Sequence, residues 1–243
     1  MNTEASPSAR RVVLVTGAAG GLGRATVHEF AAQGWQVIAA SHAAPPVWPA
    51  ENIRGTQLDV TDRSRVTAVF DDVLQRFGRL DVLVNNAGIA RDGLVPQLSL
   101  DEWQQVIDVN LKGAFLCAQA AVRPMLRQRD GHIINIASFG GRVGRAGQSN
   151  YAASKAALLG LTQSLAKEVG SRDVRVNAVL PGFLRTKLVG ELTAEQLAQH
   201  CAANALGRLN EFDEVVRFLV FLAGMKNVSG QLFQLDSRIA PWT

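Results

Sequence analysis

The chain has 243 residues, 47% of them apolar, which is enough for one substantial core. Its formal charge of +4 is too small and too dispersed to point to nucleic acid, and no stretch approaches the ~18 consecutive apolar residues of a membrane span. Cys117 and Cys201 make neither a metal-ligand spacing nor a disulfide framework, and the polar first ten residues lack the apolar run of a signal peptide, so a soluble cytoplasmic protein without metal is expected.

Past a flexible tail over residues 1–10, Arg11–Thr16 is a β-branched apolar run that stops at glycine, as a short buried strand does. A glycine-rich turn leads into a helix over 21–33. A second strand follows at 36–40, a third around 56–58, and a helix over 62–77. Asp81–Val84 is a fourth strand ending in Asn85-Asn-Ala-Gly88. A long helical region covers 100–127, His132–Ala137 is a fifth strand, and 150–169 is a helix. Val174–Val179 makes a sixth strand closed by Pro181-Gly182, 211–223 a helix, and Gln231–Leu235 a last strand. Short apolar strands alternating with helices predict an α/β fold, a doubly wound parallel sheet covered on both faces. Residues 11–243 read as one domain. Between the second and third strands, Pro45, Pro46 and Pro49 predict an irregular crossover where a helix is usual.

The first turn reads Thr16-Gly17-Ala-Ala-Gly20-Gly21-Leu22-Gly23. Glycines at 17, 21 and 23 suit a tight turn and close approach of backbone to a pyrophosphate, with the following helix N-terminus supplying N–H groups. At the end of strand two, where a carboxylate would select NAD, the chain has Ala40-Ser41-His42. Ser41 can donate to a phosphate and Arg24 lies nearby, which favours NADP(H). Asp59-Val60 closes strand three, where the carboxylate either accepts from an adenine amino group or caps the next helix.

Tyr151 and Lys155 are four apart on a helix and share a face. An ammonium beside a phenol favours phenolate and brings its pKa toward neutrality. Ser138 follows strand five, at the carboxyl edge of the sheet, and Asn110 sits inside a helix, where its propensity is poor. Together they offer an acid/base, a cation, a carbonyl-polarising donor and a polar relay.

In order and spacing, the glycine turn, Asn85-Asn-Ala-Gly88, Asn110, Ser138, Tyr151-x-x-x-Lys155 and Pro181-Gly182 resemble the short-chain dehydrogenase/reductase family, over about residues 11–235. The resemblance implies a Rossmann-type three-layer sandwich with a seven-stranded parallel sheet. In it Tyr151 protonates a carbonyl oxygen, Lys155 holds the nicotinamide ribose and Ser138 binds the substrate oxygen. Asn110 anchors a water that returns protons to Lys155. Asn86, Ala87 and Gly88 line the cofactor, Pro181, Gly182 and Thr186 cover the nicotinamide, and residues 183–205 form a substrate lid. Within the family, Asp81–Asp92, Gly147–Lys155 and Val179–Phe183 resemble β-ketoacyl–acyl-carrier-protein reductases. That likeness implies docking of acyl-carrier protein on Arg129 and Arg172, beside the active-site entrance, and a homotetramer or homodimer. The chain departs from that group at Gly20, where a basic residue is usual, in the 41–55 crossover, and at the C-terminal end, Leu235 to Thr243, where a glycine-rich turn is usual and where the family builds part of a tetramer core bordering a neighbouring active site. Those departures suit a specialised acyl or polyketide pathway as well as fatty-acid synthesis. The alternatives are a dehydrogenase of another secondary alcohol, or a non-catalytic cofactor-binding member, whose mark would be a broken Asn-Ser-Tyr-Lys set.

Overall fold

Seven short runs of mostly β-branched and apolar residues pair side by side in a computed structural model that describes residues 10–185 and 193–239. They are β1 (Val12–Thr16), β2 (Gln36–Ser41), β3 (Ile53–Gln57), β4 (Val82–Asn85), β5 (Gly131–Ile136), β6 (Val174–Leu180) and β7 (Leu232–Gln234). Their order is β3-β2-β1-β4-β5-β6-β7, with every pair parallel. Eight α-helices connect them among the described residues: α1 (Gly21–Ala32), α2 (Arg63–Phe77), α3 (Leu100–Ile107), α4 (Ala114–Gln128), α5 (Gly140–Val143), α6 (Ser149–Val169), α7 (Ala194–Ala202) and α8 (Phe212–Gly224).

The pleat sends alternate side chains of each strand to opposite faces, and both faces are dry. From β1, Val12 and Leu14 join a core with Phe70 of α2 and Met125 of α4, while Val13 and Val15 join another with Phe30 of α1 and Leu219 of α8. The result is the expected three-layer, doubly wound sandwich with seven parallel strands. Because β1 lies between β2 and β4, the winding direction reverses there and opens a crevice at the strands' carboxyl ends.

Three local differences from the sequence reading matter for the site. The expected helix over 100–127 is divided by a π-helical turn at Asp108–Gly113, which carries Asn110. The third strand begins at Ile53, earlier than the apolar signal at 56–58; it is an edge strand in which only Ile53 is buried. Between β2 and β3 no helix forms, as the prolines predict. Trp48 of this loop instead packs against the second core, and Pro45 presses so closely on Gly55 that a Cβ there would lie 2.8 Å from the Pro45 Cβ. Residues 1–9, which include most of the expected tail, and 240–243 lie outside the described residues, as do 186–192 of the expected lid.

Candidate active site

At the carboxyl end of β1 the backbone turns with Gly17 at φ +65°, a conformation suited to glycine. A Cβ on Gly17 would stand 2.8 Å from Ala87 Cα, and one on Gly23 only 2.2 Å from the Gly17 carbonyl oxygen. The turn is clamped to the end of β4: Thr16 Oγ1 accepts from the amides of Asn86 and Ala87, both at 3.0 Å, and Asn86 Nδ2 donates to the carbonyls of Thr16 and Gly17. Helix α1 then starts at Gly21 with no side-chain cap and no acidic residue in its first turn. Its first N–H groups and the positive end of its dipole therefore remain available to an anion. Gly17, Gly20, Gly21 and Gly23 border an open cleft of about 1650 Å³ that continues past β4 and β5 to Tyr151 and Pro181. Cradle, uncapped helix and cleft fit a dinucleotide.

The other end of the cleft is built on α6. A chain of buried amides fixes this helix to the sheet. Asn85 Nδ2 donates to Asn135 Oδ1 at 2.9 Å, and Asn135 Nδ2 donates to Thr162 Oγ1 of α6 at 2.9 Å. One turn from the helix start, Tyr151 and Lys155 face the cleft. Lys155 is 4% exposed, its Nζ donating to the Ile136 carbonyl at 2.8 Å and lying 5.8 Å from the Tyr151 ring centre. Ser138, just beyond β5, turns its hydroxyl toward the Tyr151 phenol. Asn110 is buried: its Oδ1 accepts from Ile89 N at 2.8 Å, and its Nδ2 donates to Ile89 O at 3.0 Å and to Ser154 Oγ at 3.1 Å. A Cβ on Gly88 would sit 3.4 Å from Asn110 Oδ1 and 3.6 Å from Lys155 Nζ, so the two groups face one point beside that glycine.

Burial governs the titration of this cluster. It pushes the Lys155 ammonium down to about 8. It also raises the Tyr151 phenol above its ordinary value; the Ser138 hydrogen bond pulls the other way and the Asp92 carboxylate adds to the rise. The expected lowering of the phenol by Lys155 is thus not what dominates here. The ammonium donates to the Ile136 carbonyl, and desolvation is the largest influence on the phenol. At neutral pH the pair is a protonated phenol beside an ammonium, an arrangement able to give a proton to an oxygen bound against Ser138.

The sequence-identified residues are distributed as follows. Gly17, Gly21, Leu22, Gly23, Ser41, Asn86, Gly88, Ser138, Tyr151, Lys155, Pro181 and Gly182 all border the single cleft. Asn110 stands just behind it, through Gly88. Ser41 is buried with its hydroxyl donating to the Ala43 carbonyl at 3.0 Å. Ala87, Asp59 and Val60 are not among the cleft-lining residues. Ala87 is a partner of the glycine turn. Asp59 accepts from the Thr61 amide and hydroxyl at 2.9 and 2.7 Å and lies 3.6 Å from His42; Val60 packs on Gly113. The helix cap of α2 is Asp62 itself. Thr186 lies outside the described residues. Arg129 and Arg172 are exposed and border one surface depression with Arg127 and Glu168; none of these residues lines the cleft, beside whose entrance the two arginines were expected. His28 and His42 at one end of the cleft, and Phe139, Arg145, His200 and Arg238 at the other, line it without having been singled out as site residues. No local pattern marks them; only the fold gathers them. The helix that carries His200 does have a sequence signal, the capping box Thr193-x-x-Gln196.

Comparison with known proteins agrees with this geometry. The family model described as short chain dehydrogenase matches residues 11–197. The chain is 42% identical to 3-oxoacyl-[acyl-carrier-protein] reductase FabG of Thermotoga maritima, over 93% of this chain and 96% of that protein. It is 42% identical to the 3-oxoacyl-[acyl-carrier-protein] reductase of Synechocystis (93% and 95% covered). With FabG of Escherichia coli K12 the identity is 40%, covering 88% and 89%. A doubly wound sheet with a glycine cradle at β1, a tyrosine–lysine pair on α6 and a family match over most of its length place this chain in the short-chain dehydrogenase family, as an oxidoreductase acting on a carbonyl/alcohol pair.

Proposed function

We propose that this protein reduces 3-oxoacyl groups carried on acyl-carrier protein to 3-hydroxyacyl groups, using NADPH, as a cytoplasmic homo-oligomer. The observation that carries the reading is the convergence of Ser138, Tyr151, Lys155 and, behind Gly88, Asn110 at the far end of a cleft that begins at a dinucleotide cradle. The printed names of relatives 40–42% identical over most of the chain support the substrate.

In this reading Gly17, Gly21, Leu22 and Gly23 hold the pyrophosphate, and Asn86 and Ala87 keep the turn in shape. Gly88, Pro181 and Gly182 flank the nicotinamide end. When bound, the cofactor supplies a hydride to the carbonyl carbon. Ser138 Oγ donates to the carbonyl oxygen and fixes it beside Tyr151, whose phenolic oxygen delivers the proton. Lys155 Nζ binds the ribose and stabilises the phenolate left behind, a role that an ammonium below pH about 8 can fill. Asn110 holds the Gly88–Ile89 backbone against this group and keeps the path for proton return open. All four members being present argues against a silent binding protein.

Preference for NADPH is supported by the missing carboxylate after β2 and by Arg24, His28, Ser41 and His42 around that end of the cleft. Asp59, expected to accept from the adenine amino group, accepts from Thr61 and lies 3.6 Å from His42. Arg129 and Arg172, together with Arg127, offer exposed cations in one depression, beside the Glu168 carboxylate, for an acidic carrier. The test is a panel of 3-oxoacyl thioesters, carrier-bound and free, assayed with NADPH and NADH. Efficiency highest with NADPH supports the reading. The double change Arg129→Ala and Arg172→Ala should then weaken turnover of carrier-bound substrate and spare the free thioester; equal loss on both would overturn the docking role.

A further inference from the structure

Beyond Ser138 the cleft is bordered by Arg238, in the C-terminal segment that departs from the glycine-rich turn of the reductases. Here it places a guanidinium with care. Arg238 Nε donates to Asp236 Oδ2 at 2.6 Å and Nη2 reaches the same oxygen at 2.5 Å. That carboxylate is 2% exposed, and its Oδ1 accepts from Gln234 Nε2 at 2.9 Å. The guanidinium carbon lies 4.2 Å from the ring centre of Phe139, the residue that follows Ser138. Clamped below by a buried carboxylate and stacked on an aromatic face, Arg238 borders the cleft with its side chain 18% exposed.

Its bonding is incomplete. A guanidinium has about five N–H donors, and Asp236 occupies two of them. The remaining donors have no side-chain partner among the described residues. Arg145, across the cleft, has no ion-pair partner among them either. Burial first, and then both arginines, hold the cleft-lining His200 below its ordinary pKa. The carboxylate that lines the cleft, Asp92, accepts from Gln148 at 2.8 Å. A saturated acyl chain offers these donors nothing, and covering them with methylenes would strip them of water without replacing it.

We propose that Arg238, positioned by Asp236 and Phe139 and supported by Arg145, receives a carboxylate on the substrate's acyl chain, a few bonds from the carbonyl that is reduced. This rests on the 3-oxoacyl reading above and narrows it to a dicarboxylic acyl substrate. The phosphate of a pantetheine arm is the other anion such a substrate carries, but it sits at the far end of that arm, remote from Ser138.

The experiment compares the N-acetylcysteamine thioesters of 3-oxoadipate and 3-oxohexanoate, which have equal chain length and differ in a terminal carboxylate against a methyl. Wild-type kcat/KM should favour the 3-oxoadipyl thioester tenfold or more, and Arg238→Gln should collapse that ratio at least tenfold. A ratio unmoved by Arg238→Gln overturns the proposal. So does a loss confined to the phosphopantetheine thioester of 3-oxohexanoate, which would assign Arg238 to the phosphate. Turnover of neither thioester would instead sink the 3-oxoacyl reading. Calorimetric titration of both compounds into Tyr151→Phe, with and without Arg238→Gln, then decides the subsite alone. Arginine-dependent preference for the dicarboxylic compound upholds it, and equal binding of the two overturns it.

Discussion

Replacing Asn110 by leucine, a residue of similar size, removes three hydrogen bonds from a position 1% exposed. Ser154 Oγ keeps its bond to the Tyr151 carbonyl, at 2.7 Å, so the damage falls on the amide and carbonyl of Ile89. Each orphaned group costs about 1–3 kcal/mol, and because Ile89 is half-buried the lower end applies, roughly 2–3 kcal/mol in sum. For a chain of this size 1 kcal/mol moves the melting temperature by about 2–4 °C, so Asn110→Leu should melt roughly 5–10 °C lower. Freed from Asn110, the Gly88–Ile89 backbone no longer holds its place beside Lys155, and misplacement on the ångström scale costs up to about a hundredfold in rate. Circular-dichroism melting and steady-state turnover on the same preparation test both arms. A melting temperature within about 1 °C of wild type, with full turnover, would refute Asn110 as the brace of this loop.

Burial that brings Lys155 down to about 8 keeps its ammonium below that pH and removes it above. Thus kcat/KM for reduction, which reports the free enzyme, should fall as pH rises through about 8; a flat profile well beyond that point contradicts the role given to Lys155. His132 in β5 is buried and held down to about 3, and its Nε2 can only accept from Asn177 Nδ2 at 2.8 Å, because the other Asn177 N–H goes to the Val228 carbonyl. The unfolded histidine takes a proton near 6.5 while the folded one resists, so stability present above pH 6.5 is lost as pH falls toward 3. Melting at pH 7.5 and 4.5 should show a larger acid loss for wild type than for His132→Leu, and equal losses would refute the assignment. Gly23→Ala puts a Cβ 2.2 Å from the Gly17 carbonyl oxygen and 2.8 Å from Asn86 Nδ2. Overpacking of this kind costs about 1–3 kcal/mol, so the NADPH dissociation constant from fluorescence titration should rise about tenfold; an unchanged value contradicts the cradle.

The fold was legible because parallel strands buried on both faces are nearly uninterrupted apolar runs, as in β1, β2 and β4, and because glycine and proline punctuate them. The edge strand β3 was legible only in part, since four of its five residues are not buried and its pattern is weak. The π-helical turn around Asn110 was hidden because apolar residues continue through it; the one local sign was an asparagine where helix propensity is poor. At the site, residues fixed by backbone geometry or by helical spacing could be found in advance: the glycines, Tyr151 and Lys155. The Asn85–Asn135–Thr162 chain and the stacking of Arg238 on Phe139 could not, because each joins segments whose proximity exists only after folding. The same holds for electrostatics. A phenol and an ammonium at helical spacing suggest a lowered phenol, whereas burial raises it.

The central claim, that Tyr151 completes a reductase of carrier-bound 3-oxoacyl groups, is tested most directly by one measurement. NADPH oxidation is followed with a 3-oxoacyl–acyl-carrier-protein substrate, for wild type and for Tyr151→Phe with equal NADPH affinity, and the product is identified by mass. The account predicts one 3-hydroxyacyl group formed per NADPH consumed and a loss of about a hundredfold to ten-thousandfold in Tyr151→Phe. No NADPH-dependent product with wild type, or undiminished turnover in Tyr151→Phe, would contradict it.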